Sequence, residues 1–320
     1  MVMTITALSL ASCKYKDLED GGEYVCDMKT VTLDFAWEKV DSSAVPGAMR
    51  VAFYPADKLT RATLTKGYAF FDLPKTIWPA SIQLPAGTYH VTGWNNDVEN
   101  IITDNYGSRE TLFATTPAYQ TKDNVDVFAV LDSIYQGQAV LDHPDYMVHG
   151  NEMDVQVLAD ESEQTVTLHP DSMVVTMEYY VRGIGGLERV RQVRGAINNV
   201  AGKRFMAYPN LAEDSVAVMF DCNYNAADSL VYGQLNVFGI EPTDLRDRLQ
   251  HKLVLFFWMD NGRVYIPIDI TKLYATFRKD QSRVVIDIPS LGIDLRNKME
   301  SNGFDVGLDE WDDVNIDVAF

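Results

Sequence analysis

Short runs in which apolar and polar residues alternate fill most of the chain from about residue 30 onward. In the segment 30–37, Val31, Leu33, Phe35 and Trp37 occupy every second position. Because side chains alternate between the two faces of a strand, this period predicts strands with one buried face. The strands predicted in this way are 30–37, 49–55, 69–73, 82–84, 88–94, 111–115, 125–129, 147–149, 153–158, 164–168, 173–181, 230–240, 252–259, 264–270, 283–288 and 314–318.

Helical patterns are few. Residues 242–251 predict one helix with Thr243 as its N-cap, and the ambiguous stretch 129–145 contains a second short candidate. Residues 187–193 fit a helical turn or a strand equally well. Strands and helices do not alternate as they do around parallel sheets, so the pattern predicts an all-β fold of antiparallel β-sandwiches with one or two short helices.

The strand pattern also predicts how the chain is divided. A chain of 320 residues has the length of roughly two domains. We expect a lipoprotein signal at 1–13, a charged tether at 14–28, an N-terminal sandwich at 29–160 and a C-terminal sandwich at 161–320.

The first twelve residues are uncharged and end in Leu10, Ala11 and Ser12, directly before Cys13. An apolar run closed by small residues and a cysteine predicts a lipoprotein signal, with a covalent lipid on the Cys13 thiol. The alternative is an apolar strand that ends in a cysteine. Signals usually begin with Lys or Arg and none precedes Cys13, so we expect basic residues upstream of this start.

Charge and cysteine content narrow the possible partners. The net charge is −19 and the pI about 4.5, and such an acidic surface repels phosphate backbones, which argues against nucleic acid as a partner. Beyond Cys13 only Cys26 and Cys222 remain. They could form a disulfide, but free, partly buried thiols are the expectation.

The sequence predicts neither a catalytic residue nor a cofactor. The glycine-rich loop 183–186 lacks the third glycine of a dinucleotide-binding fingerprint and is interpreted as a turn. A zinc site at His143 and His149 and a calcium site within 305–313 are conceivable, but both lack a recognised ligand spacing, so no metal is expected. The chain is therefore predicted not to be an enzyme.

The tryptophans offer one possible binding feature. We expect the strand residues Trp37 and Trp258 to lie in the core. Trp78, beside Pro79 in a loop, and Trp94 are the candidates for an exposed aromatic platform that could stack on a glycan.

Three segments resemble a known group of proteins: LPAGTYHVTGWNN at 84–96, the strand-rich stretch 173–202 and GFDVGLDEWDDVNIDV at 303–318. They resemble Bacteroidales surface lipoproteins, namely the fimbrial anchor and accessory subunits of the FimB/Mfa type and a related Bacteroides lipoprotein family of undefined function. The resemblance implies two transthyretin-like, Greek-key sandwiches. It further implies a protein of the outer membrane that faces the cell surface.

The resemblance implies a non-enzymatic fimbrial anchor, accessory subunit or adhesin that joins fimbrial subunits by β-strand addition. The tether 14–28 contains no arginine, which fits a lipid-held anchor better than a proteolytically processed stalk subunit. Two alternatives stay open: a glycan-binding accessory lipoprotein of a polysaccharide-uptake system, and a free-standing surface protein.

Overall fold

Strands make up most of the described chain. A computed structural model describes residues 28–120, 126–160, 163–208, 211, 215–240, 250–260, 262–277, 281–300 and 314–315. Its strands are β1 (Met28–Phe35), β2 (Ala48–Pro55), β3 (Ala69–Pro74), β4 (Ala80–Pro85), β5 (Gly87–Asn95), β6 (Ile102–Asp104), β7 (Phe113–Thr115), β8 (Val140–Asp142), β9 (Val148–Val157), β10 (Gln164–Leu168), β11 (Asp171–Ser172), β12 (Val175–Arg182), β13 (Ile184–Gly185), β14 (Val190–Ala201), β15 (Lys203–Phe205), β16 (Ser215–Asn225), β17 (Leu230–Val237), β18 (Lys252–Met259), β19 (Gly262–Asp269), β20 (Arg283–Ile288), β21 (Ile293–Asp294) and β22 (Val314–Asn315).

The first sandwich consists of two facing sheets. One has the strand order β10-β1-β4 and the other the order β11-β9-β5-β2-β3. Alternate side chains of both sheets meet between them in one apolar core that runs in sequence from Val31 to Leu168. In β3, Ala69, Phe71 and Leu73 point into this core while the residues between them are exposed, which confirms the predicted period of two.

The second sandwich is built from one continuous sheet that folds around its own core. Its strand order is β20-β12-β17-β16-β14-β18-β19-β22, with β8 added beside β16. The sheet changes layer within β16, where residues 215–222 pair with β14 and residues 223–225 pair with β17. The enclosed core extends from Val175 to Leu295. The all-β sandwich fold predicted from the sequence is thereby confirmed.

The sheets are not purely antiparallel. β10 pairs with β1, β20 with β12, and β8 with β16 in parallel. Parallel neighbours require long connections, and the link from β1 to β10 contains four of the five strands of the other sheet, namely β2, β3, β5 and β9. Spacing along the sequence could not show which distant strands become neighbours.

A helix stands where a strand was predicted at 125–129. Helix α2 (Asp126–Tyr135) places Val127, Leu131 and Tyr135 on one side at helical spacing, and all three are buried. They pack on the outer face of the second sheet against residues such as Val254. The correction has a physical reason, since a five-residue apolar run is too short to distinguish the two periods.

The structure has more helix than the one or two short helices predicted. Helix α1 (Lys58–Thr63) begins at Asp57, whose carboxylate accepts from the Thr60 N–H at 2.7 Å as an N-cap. Two further short helices span Thr271–Tyr274 and Leu295–Glu300. The helix predicted at 242–251 falls almost entirely outside the described residues.

The structure tests two predicted turns. The glycine-rich loop 183–186 separates β12 from β14 as predicted, but it is more than a turn, because Ile184–Gly185 form β13 and pair with β21. Gly183 and Gly186, on either side of β13, have φ angles of 77° and 84°, in the left-handed region that glycine adopts without a steric penalty. Between β18 and β19 the register pairs Met259 with Gly262, as expected for a tight hairpin.

The two sandwiches share a third apolar cluster. It joins Tyr54 and Trp94 from the first sandwich to Ala201, Met206 and Phe238 from the second. The segment between β7 and β9 leaves the first sandwich and contacts the second, because α2 packs on the second sheet and β8 pairs with β16. We propose a division into two domains, with α2 and β8 supplied to the second by the first part of the sequence. The sequence placed the boundary at residue 160, but β10 and β11 pair within the first sandwich, so we propose that the chain passes to the second after β11.

Candidate functional site

The cysteines differ in what the structure shows of them. Cys13 and Cys26 lie outside the described residues, so lipidation of Cys13 stays a prediction. Cys222 is a free, half-buried thiol, as expected. Burial raises the pKa of Cys222 to about 12, which keeps the thiol protonated and unreactive at neutral pH.

Trp78 is half-buried at the edge of the first core. Its ring stacks on Trp37 with centroids 5.5 Å apart and contacts Phe35 at 4.9 Å. Its Nε1–H donates to the Leu73 carbonyl at 2.9 Å, so the polar edge of the indole is already occupied. One ring face is therefore used for packing, and a ligand role for Trp78 stays a prediction.

Trp94 is only 1% exposed. It lies in the cluster between the sandwiches, and its ring contacts Tyr106 at a centroid distance of 6.1 Å. No ring face of Trp94 is open to a ligand, which removes it from the platform predicted on sequence grounds. Trp37 and Trp258 were predicted to lie in the core, but both are only half-buried.

A surface that the sequence analysis missed lies on the outer face of β2 and β3. Five side chains define it: Arg50, Lys66, Tyr68, Phe70 and Tyr106. We call it the Arg50 surface. The Arg50 guanidinium lies 5.2 Å from the Phe70 ring centroid and 5.9 Å from that of Tyr106, and the Lys66 ammonium lies 5.6 Å from Phe70. These distances are typical of cation–π contacts.

The rings of this surface form a continuous row. Tyr54 stacks on Tyr68 at 5.6 Å, Tyr68 on Phe70 at 6.2 Å, and Phe70 contacts Tyr106 at 6.4 Å. The row begins at the buried Tyr54 and reaches solvent at Phe70, which is 37% exposed. Desolvation raises the pKa of the Tyr54 phenol, so this hydroxyl stays neutral. The sequence did contain a signal for this surface. Tyr68, Phe70 and Asp72 occupy every second position, so two aromatic side chains and one carboxylate fall on the same face of the chain at β3.

Metal chemistry has no support in the described part of the chain, where no group of three or more His, Cys, Asp or Glu residues could hold an ion. His143 and His149, considered as a zinc pair, form no such group. The acidic segment 305–313 falls outside the described residues. Among the helices that the structure describes, none is long and apolar enough to cross a membrane.

The fold defines an all-β protein of two packed sandwiches, with an aromatic surface on the first. The model of a family described as a domain of unknown function, DUF5119, matches residues 12–221. The chain belongs to this family. No curated protein matches it.

Solved structures share the architecture. A candidate adhesin from Bacteroides ovatus superposes with a TM-score of 0.58 at 18% identity, covering 83% of this chain and 94% of that one. The fimbrial anchor protein Mfa2 from Porphyromonas gingivalis gives a TM-score of 0.41 at 11% identity, covering 81% and 90%. Candidate polysaccharide-binding proteins from Bacteroides thetaiotaomicron give 0.47 at 14%, covering 83% and 93%. The first likeness shows a shared fold and confirms the predicted resemblance to adhesin-type proteins of Bacteroidales.

Proposed function

We propose that the protein is a non-enzymatic component of the cell surface, a fimbrial anchor or accessory subunit or an adhesin-like structural protein, held in the outer membrane by a lipid on Cys13. The observation that carries the proposal is the likeness to the Bacteroides ovatus candidate adhesin, which extends over both sandwiches. A fold shared over nearly the full length supports a shared architectural role, although function resides in sites rather than in folds.

The geometry supports partner binding through a sheet edge. β20 ends the second sheet among the described strands and pairs on one side only, with β12. An edge strand carries backbone N–H and C=O groups that a strand from another chain can use. Such pairing is the mode by which we propose fimbrial subunits join this protein.

The hydrogen bonds of β20 identify which backbone groups are free for this pairing. The Thr176 N–H donates to the Ser282 carbonyl at 2.8 Å, so the backbone groups of Ser282 face β12. Because consecutive residues of a strand direct these groups to opposite edges, the Val285 N–H faces away from β12. Val285 is also 45% exposed, so its substitution disturbs little packing.

The test is recovery of fimbrial subunits with the tagged protein from its native host. The unaltered chain is expected to recover them, and Val285→Pro is expected to lose them because proline removes the outward donor while sparing the bonds to β12. Val285→Thr keeps the N–H and serves as the matched control, with recovery equal to that of the unaltered chain. Absence of fimbrial subunits from the unaltered sample would favour a free-standing surface protein.

A further inference from the structure

The Arg50 surface is held in one arrangement by its own hydrogen bonds. Asp72 accepts from Arg50 Nε at 2.6 Å and from Nη2 at 2.8 Å, and Arg50 Nη1 donates to the Tyr106 hydroxyl at 3.1 Å. Asn96 Nδ2 donates to the same Asp72 carboxylate at 2.9 Å. A bidentate guanidinium–carboxylate pair fixes the orientation of both planar groups. The side chains are therefore positioned before any ligand arrives.

The exposed part of the surface combines an apolar ring face with polar groups at its rim. Phe70 is 37% exposed, while the Arg50 and Asp72 side chains are 25% and 47% exposed. The ring is not needed to complete the first core, because its neighbours Ala69 and Phe71 point inward and Phe70 points outward. An outward aromatic ring flanked by fixed polar groups offers a ligand both an apolar contact and hydrogen-bonding partners.

We propose that the Arg50 surface binds a neutral saccharide, a role that goes beyond the proposed architectural function. A sugar ring has an apolar face of C–H groups that packs on an aromatic ring, and hydroxyl groups that both donate and accept. The exposed part of the Phe70 ring supplies the aromatic contact. Asp72 supplies acceptors at the rim, and Lys66 supplies a donor.

An anionic ligand fits the surface less well. The Arg50 charge is already matched by Asp72 at 2.6 Å, and the whole chain carries a net charge of −19. Lys66 alone cannot offset the repulsion of an acidic polymer by the rest of the surface. A neutral glycan avoids this penalty and uses the ring face as well as the polar rim.

The test is affinity electrophoresis of the full chain in native gels that contain laminarin, yeast mannan, arabinoxylan or polygalacturonate. We expect retardation by at least one of the three neutral polysaccharides and none by the polyuronate. Phe70→Ala is expected to weaken the interaction about tenfold, since that factor corresponds to about 1.4 kcal/mol of lost aromatic contact. Phe70→Trp keeps an aromatic face and is expected to retain binding.

Tyr232 offers the matched control because it is an aromatic residue of the second sandwich with 38% exposure, close to that of Phe70. Tyr232→Ala is expected to migrate as the unaltered chain does. The proposal is overturned if no neutral polysaccharide retards the protein, if Phe70→Ala binds as well as the unaltered chain, or if Tyr232→Ala loses binding to the same extent. Retardation by polygalacturonate alone would likewise contradict it.

Discussion

At the scale of single residues, His149 marks the junction of the two sandwiches. It pairs with Trp94 of β5 on one side and with Asp171 of β11 on the other. Its Nδ1 atom is enclosed without a hydrogen-bond partner. Desolvation, with a smaller contribution from the Arg204 charge, lowers the pKa of His149 from 6.5 to about 4. The imidazole is therefore neutral in the folded protein at neutral pH.

This shift predicts a loss of stability in acid. Since the folded-state pKa is the lower one, the unfolded chain binds more protons below pH 6.5, and the stability contributed by neutral His149 falls as the pH falls towards 4. His149→Gln cannot gain this proton. The variant is expected to lose less stability than the unaltered chain over that window, by about 3 kcal/mol.

Urea unfolding at several pH values measures the effect. Above pH 7 the difference in unfolding free energy between the two proteins is expected to be constant. If the unfolding free energies of the two proteins fall in parallel from pH 7 to pH 4, then His149 is not held neutral in the folded protein.

Residue-scale properties were only partly predictable from the sequence. The half-burial of Cys222 followed from its type and position, but Trp94, a candidate for an exposed platform, is buried, and the outward ring of Phe70 was not singled out. Which face of a strand meets a second domain depends on contacts between distant segments. For that reason the burial of Trp94 between the two sandwiches could not be assigned from alternation alone.

At the scale of elements, helix α2 shows where sequence reasoning reaches its limit. Its amphipathic spacing was present in the sequence, but its partner is a sheet formed by residues far along the chain. The Tyr135 hydroxyl donates to the Ala196 carbonyl at 2.8 Å and so fastens the end of the helix to β14. Tertiary packing of this kind decides between helix and strand for short segments.

Removing the central contact of α2 is expected to be costly. Leu131 is fully buried against the second sheet. Leu131→Ala leaves a cavity there and is expected to destabilise the protein by about 2–5 kcal/mol. Asp132→Ala, at the exposed neighbouring position, is the control and is expected to change stability little. Chemical denaturation of both variants measures the difference, and equal stabilities would show that the helix does not depend on this contact.

At the scale of the whole molecule, the shared cluster and several polar contacts connect the two sandwiches. Asn151 Nδ2 donates to the Met206 carbonyl at 2.7 Å, and Arg204 Nη1 donates to the Met173 carbonyl at 2.5 Å. Strand content was predictable because it follows from local periodicity. The crossing of α2 and β8 to the second sheet was not, because it rests on contacts distant in sequence.

The central claim is that this two-sandwich protein is held at the cell surface by a lipid on Cys13. Metabolic labelling of the native host with an alkyne analogue of palmitate tests it most directly. Label is expected in the unaltered chain and is expected to be absent from Cys13→Ala. The control variant Cys222→Ala is expected to keep its label, because the Cys222 thiol of the unaltered chain is half-buried and protonated. An unlabelled native protein, or label that persists in Cys13→Ala, would contradict the account.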